Sequence, residues 1–353
     1  MNTLVIGGEI SSWVVSWSNE ISKLGHNVTC LVQNNNNFDE LPTSTEKLEI
    51  IPTSIDTLFG TELPQSLYDR HFDLVIGSHC PVLRLVKTAS ETYNCPSVMM
   101  ILDIPVTLIN QDPSRKVLWD KYYEVLKGID IAVFLTDVHR REFIKNTNKE
   151  IPLDHVIYYP INTPIEFYKS GIGIKGDYVI SLSRLTPVKS CITIPQALSL
   201  LDLNLKYVCV GRDEGELEQI KSLCEEARIP FEHYTNITEE QKFELIKNSL
   251  MIISTQNDEY MGGGLPVWEG MFVGKPTIAV NFEISKEQYK EYPFYFDGNL
   301  YNLAEKISFI FNLKHELISE HLEEAAELAS NVSCHTFAKK LLELVHKYKV
   351  MEN

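Results

Sequence analysis

Gly262-Gly263-Gly264-Leu265-Pro266-Val267-Trp268-Glu269-Gly270-Met271 is the stretch on which the reading of this chain turns. Three successive glycines leave the backbone free to take φ > 0 and to come close to a ligand. Pro266 suits the first turn of a helix, where its missing N–H costs nothing. The apolar run Thr277-Ile278-Ala279-Val280, after Gly274-Lys275-Pro276, reads as a buried strand. A glycine loop that feeds a helix presents unpaired N–H groups and a partial positive charge, the elements of a phosphate site. A plain glycine turn before an ordinary helix fits the same residues, so the surrounding chain has to decide.

Outward from this block, apolar strand patterns alternate with helical ones in both directions. Upstream lie strands at 178–182, 205–210, 231–234 and 250–254. Between them stand helices at 188–201, 214–227 and 238–248, the last with Thr238 as a candidate N-cap. Downstream, 300–311, 315–329 and 334–348 read as helices. The chain opens in the same way: a strand at 2–6, the turn Gly7-Gly8, a helix over 11–24 closed by Gly25, and a strand at 28–32. Strands at 48–51, 74–76, 97–102 and 131–135 follow, with helices near 81–93, 114–127 and 139–145. This is the pattern of α/β doubly wound parallel sheets. The opening turn is not G-x-G-x-x-G and no acid closely follows Val32, which counts against a nicotinamide-dependent oxidoreductase. Gly171, Gly173 and Gly176 mark a linker, so we expect domains at 1–165 and 178–330, a linker over 166–177, and a final segment 331–353.

Composition narrows the function. At 353 residues two domains are expected. The net charge of −16 excludes sequence-independent nucleic-acid binding, which needs a basic face. Seven scattered cysteines with no C-x-x-C suggest neither a disulfide framework nor a zinc site, and fit a reducing, cytoplasmic setting. We expect no membrane span and no signal peptide. Trp13 and Trp17 share a helix face and read first as core. The cluster Arg115, Lys116, Trp119, Lys121, Tyr122 and Tyr123 reads first as a solvated helix face and second as a membrane or acceptor patch.

Four landmarks of the second half resemble, in order, those of the retaining glycosyltransferases of family four. Ser181-Leu182-Ser183-Arg184-Leu185-Thr186-Pro187-Val188-Lys189 resembles G-R-L-x-x-x-K-G without its glycines, and Tyr207-Val208-Cys209-Val210-Gly211 resembles the next strand and loop. Tyr234-Thr235-Asn236-Ile237-Thr238-Glu239-Glu240 resembles F-x-G-x-V-S-x-E-E, and 264–276 resembles G-L-P-x-x-E-A-M-A-x-G-x-P. In the first half, Gly7-Gly8 with Gly25-His26-Asn27-Val28-Thr29, and Asp73-Leu74-Val75-Ile76-Gly77-Ser78-His79, are similar to the family's G-G…G-H-x-V-T and D-V-V-H-x-H.

The resemblance implies two Rossmann-like domains facing across a cleft, the glycosyltransferase B-type fold, with the last helix crossing back to the first domain. It implies a hexosyltransferase that moves a sugar from a nucleoside-diphosphate-sugar, UDP- or GDP-linked, to a hydroxyl of a glycan, glycoprotein or lipid. No cofactor or metal is implied, and the absence of D-x-D agrees. Peripheral membrane contact and homo-oligomers are left open. Residue by residue, Arg184 and Lys189 become the diphosphate cations. Gly262, Gly263, Gly264 and Leu265 become the amide cradle, Glu269 the ribose acceptor, and Tyr234, Asn236 and Ile237 the base pocket. Gly7, Gly8 and His79 face substrate. The family's first acid falls at Met261, so either it is lost or Glu259 (or Asp258) replaces it toward the donor sugar. The family's His-Asp becomes Leu102-Asp103, which leaves Asp103 as the catalytic counterpart. These departures motivate an alternative: a catalytically impaired nucleotide-sugar-binding protein of the same fold.

Overall fold

The computed structural model describes residues 1–8, 11–33, 44–102, 113–147, 153–173, 175–257 and 264–352. The chain divides into two compact units, Met1–Asn162 with Cys334–Asn353, and Thr163–Ser333. The first unit holds strands β1 (Asn2–Gly7), β2 (Asn27–Gln33), β3 (Leu48–Thr53), β4 (Leu74–Ser78), β5 (Ser97–Ile101), β6 (Ile131–Phe134) and β7 (Leu153–Val156). They lie in the order β3-β2-β1-β4-β5-β6-β7, and every neighbouring pair is parallel. The second unit holds β8 (Tyr178–Leu182), β9 (Lys206–Val210), β10 (Phe231–Tyr234), β11 (Met251–Ser254), β12 (Thr277–Val280) and β13 (Phe294–Phe296). Their order is β10-β9-β8-β11-β12-β13, again all parallel. In both sheets the strand order reverses beside the first strand of the unit. The switch points, where such sheets hold ligands beyond the carboxyl ends, therefore lie between β1 and β4 and between β8 and β11.

The strands read as continuous apolar runs because helices cover both faces. Along β1, Leu4 and Ile6 enter one core layer and Val5 the opposite one, the two-residue alternation of a pleated strand. The helix Cys334–Glu352 lends Phe337, Leu341 and Val345 to the layer that holds Val5, Trp13 and Trp17. Trp13 stacks on Tyr159 at 4.1 Å and Trp17 meets Phe337 edge-on at 5.6 Å, so both indoles serve the core. Tyr123 likewise turns inward from the helix Lys116–Leu126.

Three expectations need correction. The stretch 166–177 is part of the second unit. Lys169 N–H donates to the Phe272 carbonyl (3.0 Å) and Gly171 N–H to that of Val273 (2.9 Å). A Cβ on Gly176, at φ +133°, would fall 2.4 Å from the Asn248 carbonyl oxygen, so this glycine serves close packing rather than hinging. The helix expected over 188–201 covers Thr193–Leu198 alone; residues 186–190 form turns, with Ser190 at φ +52°. The helix expected from 214 begins at Leu217, because the Asp213 carboxylate takes the N–H groups of Gly215, Glu216 and Leu217. Pattern reading also missed the short elements Ile55–Phe59, Glu283–Tyr289 and β13. The expected Thr238 cap is present as a full capping box with Gln241.

Candidate functional site

At the second switch point the loops after β8 and β11 are stitched together. Because the helix beyond β8 starts only at Thr193, the carbonyls of residues 187–190 stay outside a helix. The β11 loop takes them up. Asn257 donates from Nδ2 to the Pro187 carbonyl (2.9 Å) and from its backbone N–H to Val188 (3.0 Å). Thr255 Oγ1 lies 2.9 Å from the carbonyls of both Lys189 and Ser190. Lys189 Nζ donates to Gln256 Oε1 at 2.9 Å, which fixes the ammonium over the carboxyl end of β11. Thr255, Gln256 and Asn257 were not singled out in the sequence. Their signal was positional, since they are the residues that immediately follow the strand beside the switch.

The helix Leu265–Val273 brings its amide end to the same place. Gly264 is its N-cap at φ −67°, with no side-chain cap bond, and a Cβ there would lie 3.6 Å from Ser254 Oγ, on the last residue of β11. The left-handed freedom expected of the glycines is thus not used at Gly264. Its carbonyl accepts from the buried Tyr289 hydroxyl (3.0 Å) and Val267 N–H (3.1 Å). Gly270 lets the helix rest on the sheet, because a Cβ would meet Thr277 Cγ2 at 2.7 Å and Ile252 Cδ1 at 2.8 Å. Gly274, at φ +85°, closes the helix by donating to the carbonyls of Gly270 and Met271.

Arg184 extends toward the next loop. Its guanidinium holds both oxygens of Glu214 (3.1 and 2.9 Å), which Arg212 also grips. Those arginines, Arg212 first, keep the Glu214 carboxyl below its ordinary range. The Arg184 side chain remains half-exposed, and an exposed pair of this kind is worth about 0–1 kcal/mol, so it yields readily to a competing anion. Glu269, by contrast, is buried. Lys242 Nζ stands 2.8 Å from its Oε1 and 2.7 Å from Glu239 Oε2. Burial opposes the Lys242 charge, but the Glu269 and Glu239 carboxylates outweigh it and hold the ammonium charged above its ordinary range.

Tyr234, Asn236 and Ile237 gather at the carboxyl end of β10. The Tyr234 carbonyl accepts from Gly211 N–H (2.9 Å), its hydroxyl donates to Glu232 (2.7 Å), and Asn236 takes φ +55°. In the first unit Gly8 N–H donates to the Ser78 carbonyl (3.3 Å), and a Cβ on Gly8 would touch the His79 side chain at 3.1 Å. His79 itself adopts φ +84°, a strained value for a residue with a Cβ. Structure therefore groups Gly7, Gly8 and His79 at the β1–β4 edge, and Lys189, Gly264 and Leu265 at the β8–β11 edge. Arg184 and Glu269 stand on the adjoining loop and helix. Asp103, Glu259, Met261, Gly262 and Gly263 lie outside the described residues, as do the side chains of Arg115 and Trp119. Among the described residues no cluster of three His, Cys, Asp or Glu could hold a metal, and no helix is long and apolar enough to cross a membrane.

This geometry coincides with a known family model, glycosyl transferases group 1, which matches residues 162–332. Residues 162–332 are a group 1 glycosyltransferase domain. The whole chain has the two-Rossmann, B-type glycosyltransferase fold. Among solved structures it is similar to HepE of Anabaena in complex with UDP and glucose (TM-score 0.77, 16% identity, 98% of this chain and 100% of that one). It is also similar to a glycosyltransferase of Rickettsia africae (0.76, 18%, 98% of each) and to sucrose-phosphate synthase of Thermosynechococcus elongatus (0.78, 11%, 99% and 100%). No curated protein sequence matches the chain. Within the matched stretch, the block 264–276 supplies the helix whose first residues lie beside the end of β11.

Proposed function

We propose that this glycosyltransferase is a retaining, metal-independent enzyme that moves a hexosyl group from a UDP- or GDP-sugar to a hydroxyl of a glycan, glycoprotein or lipid. The observation that carries the reading is the Lys189 ammonium, fixed by Gln256 in the loop after β11, at a doubly wound switch point where Gly264, the N-cap of a helix with no side-chain cap bond, lies against Ser254 at the end of the same strand. As the bond from the anomeric carbon to the diphosphate oxygen breaks, negative charge grows on the leaving group. Cations and N–H donors already in place stabilise that charge without reorganisation. Lys189, the Gly264 and Leu265 amides, and Arg184 once it exchanges Glu214 for phosphate, fill this role. The acceptor hydroxyl forms the new bond on the same face of the sugar and passes its proton to the leaving diphosphate. Glu269 accepts from the ribose hydroxyls, and the 234–237 turn takes the base. We assign acceptor contacts to Gly7, Gly8 and His79, and donor-sugar contacts to Glu259 with Asp103. That HepE was solved with UDP and glucose supports a UDP donor.

A panel of UDP-, GDP-, ADP- and dTDP-sugars in a thermal-shift assay, followed by donor turnover with simple glycoside acceptors, tests the proposal. The expected result is stabilisation by a UDP- or GDP-sugar and transfer with retention at the anomeric carbon. The departure at Met261 favours a second reading, a nucleotide-sugar-binding protein without turnover. Tight binding with neither transfer nor hydrolysis would select it.

A further inference from the structure

Glu269 lies on a helix whose residues from Val267 to Val273 are all buried. A charge taken out of water there is costly unless paired. Among the described residues its carboxylate has a single side-chain partner, Lys242, which reaches across from the helix Glu239–Asn248 to Oε1 at 2.8 Å. Lys242 is itself largely buried, with its ammonium 4.9 Å from the centre of the Phe243 ring. Its second carboxylate, Glu239, is exposed and sits three residues back on the same helix. The capping box at Thr238 and Gln241 sets where that helix begins, and so the height at which Lys242 projects. Lysine has three donors and no acceptor, so it can hold a carboxylate but cannot replace it toward a hydroxyl donor.

We propose that Lys242 is the positioning residue for Glu269: by holding Oε1 it fixes the carboxylate plane, leaves Oε2 to accept from a ribose hydroxyl, and thereby sets the preference for ribo- over deoxyribonucleotides. This rests on the reading of Glu269 as the ribose acceptor. An unheld carboxylate would swing among rotamers and lose the selective bond while the phosphate contacts stayed intact.

Calorimetric titration with UDP and GDP, and with the 2′- and 3′-deoxy forms of each, tests the idea in wild type, Lys242→Met, Lys242→Gln, Lys242→Arg and Glu269→Gln. Wild type should prefer the ribonucleotide by about tenfold or more, as expected when a hydrogen bond to a charged group is lost. Lys242→Met and Lys242→Gln should bring the preference below about threefold while deoxynucleotide affinity holds, and Lys242→Arg should recover part of it. If Lys242→Met does not fold, Lys242→Gln gives the same readout. A merely structural lysine would weaken ribo and deoxy forms alike and keep their ratio, which overturns the proposal. Glu269→Gln separates the two ideas. If it loses the preference while the Lys242 variants keep it, the Lys242 role alone falls. If it keeps the preference, the ribose reading of Glu269 falls and the proposal with it.

Discussion

The two sheets share one topology and differ in what stands at the point where strand order reverses. At β8–β11 two loops are cross-bonded, a lysine is held over the strand ends, and a helix turns its uncapped amide end toward them. At β1–β4 the described residues give Gly8 packed against His79, whose φ is positive. On the proposal made above, the same backbone arrangement serves the donor diphosphate in one unit and the acceptor in the other. The lesson is that a doubly wound sheet fixes where a ligand sits, while the loops fix which ligand.

The most severe challenge to this contrast is to remove the cations. Arg184→Ala with Lys189→Ala should weaken UDP or GDP binding by about 3 kcal/mol or more, since charge-assisted bonds are the strong ones. His79→Ala should leave that affinity within about twofold. Equal losses in a calorimetric titration would erase the distinction between the two edges.

The glycines sharpen it structurally. A Cβ on Gly211 would fall 1.9 Å from the Ser183 carbonyl oxygen, whereas one on Gly8 meets His79 Cβ at 3.1 Å. Gly211→Ala should therefore cost about 3 kcal/mol in urea unfolding and Gly8→Ala about 1 kcal/mol or less.

Inside the second unit, charge compensation can be tested against Lys275. Unlike Lys242, it is buried with a backbone carbonyl, that of Lys175 at 3.2 Å, as its described partner. Burial first, then the nearby Lys175 charge, lowers its pKa to about 8. Below that pH the folded protein carries the full cost of a buried ammonium; as pH rises from about 8 toward the ordinary 10.5, the folded state sheds its proton first and stability increases. Lys275→Met should add about 1–3 kcal/mol at pH 7 and flatten that rise, measured by denaturant unfolding across the range. The last expected effect belongs to the first edge. His79→Ala should lower transfer to an acceptor about tenfold, roughly 1.4 kcal/mol, with donor affinity kept.

Much of this was legible in the sequence because it depends on local pattern. The apolar runs of β1, β8 and β12, the Thr238 cap and the glycine-to-helix block all announce themselves within a few residues. Arg184, Lys189 and Glu269 became candidates through motif likeness. Their partners were not, because Gln256, Glu214 and Lys242 meet them across 67, 30 and 27 residues of chain. Pro195 hides a similar lesson. It fits the first turn of Thr193–Leu198, and the turns before that helix leave the carbonyls that bind the β11 loop. Gly171, Gly173 and Gly176 suggested a flexible joint, yet each is small because something packs against it.

A crystal structure of the protein soaked with UDP or GDP tests the central claim most directly. The account predicts the diphosphate about 3 Å from Lys189 Nζ and the Leu265 amide, with the ribose at Glu269. A nucleotide seated at the β1–β4 edge, or one whose phosphates point away from Lys189, would contradict it.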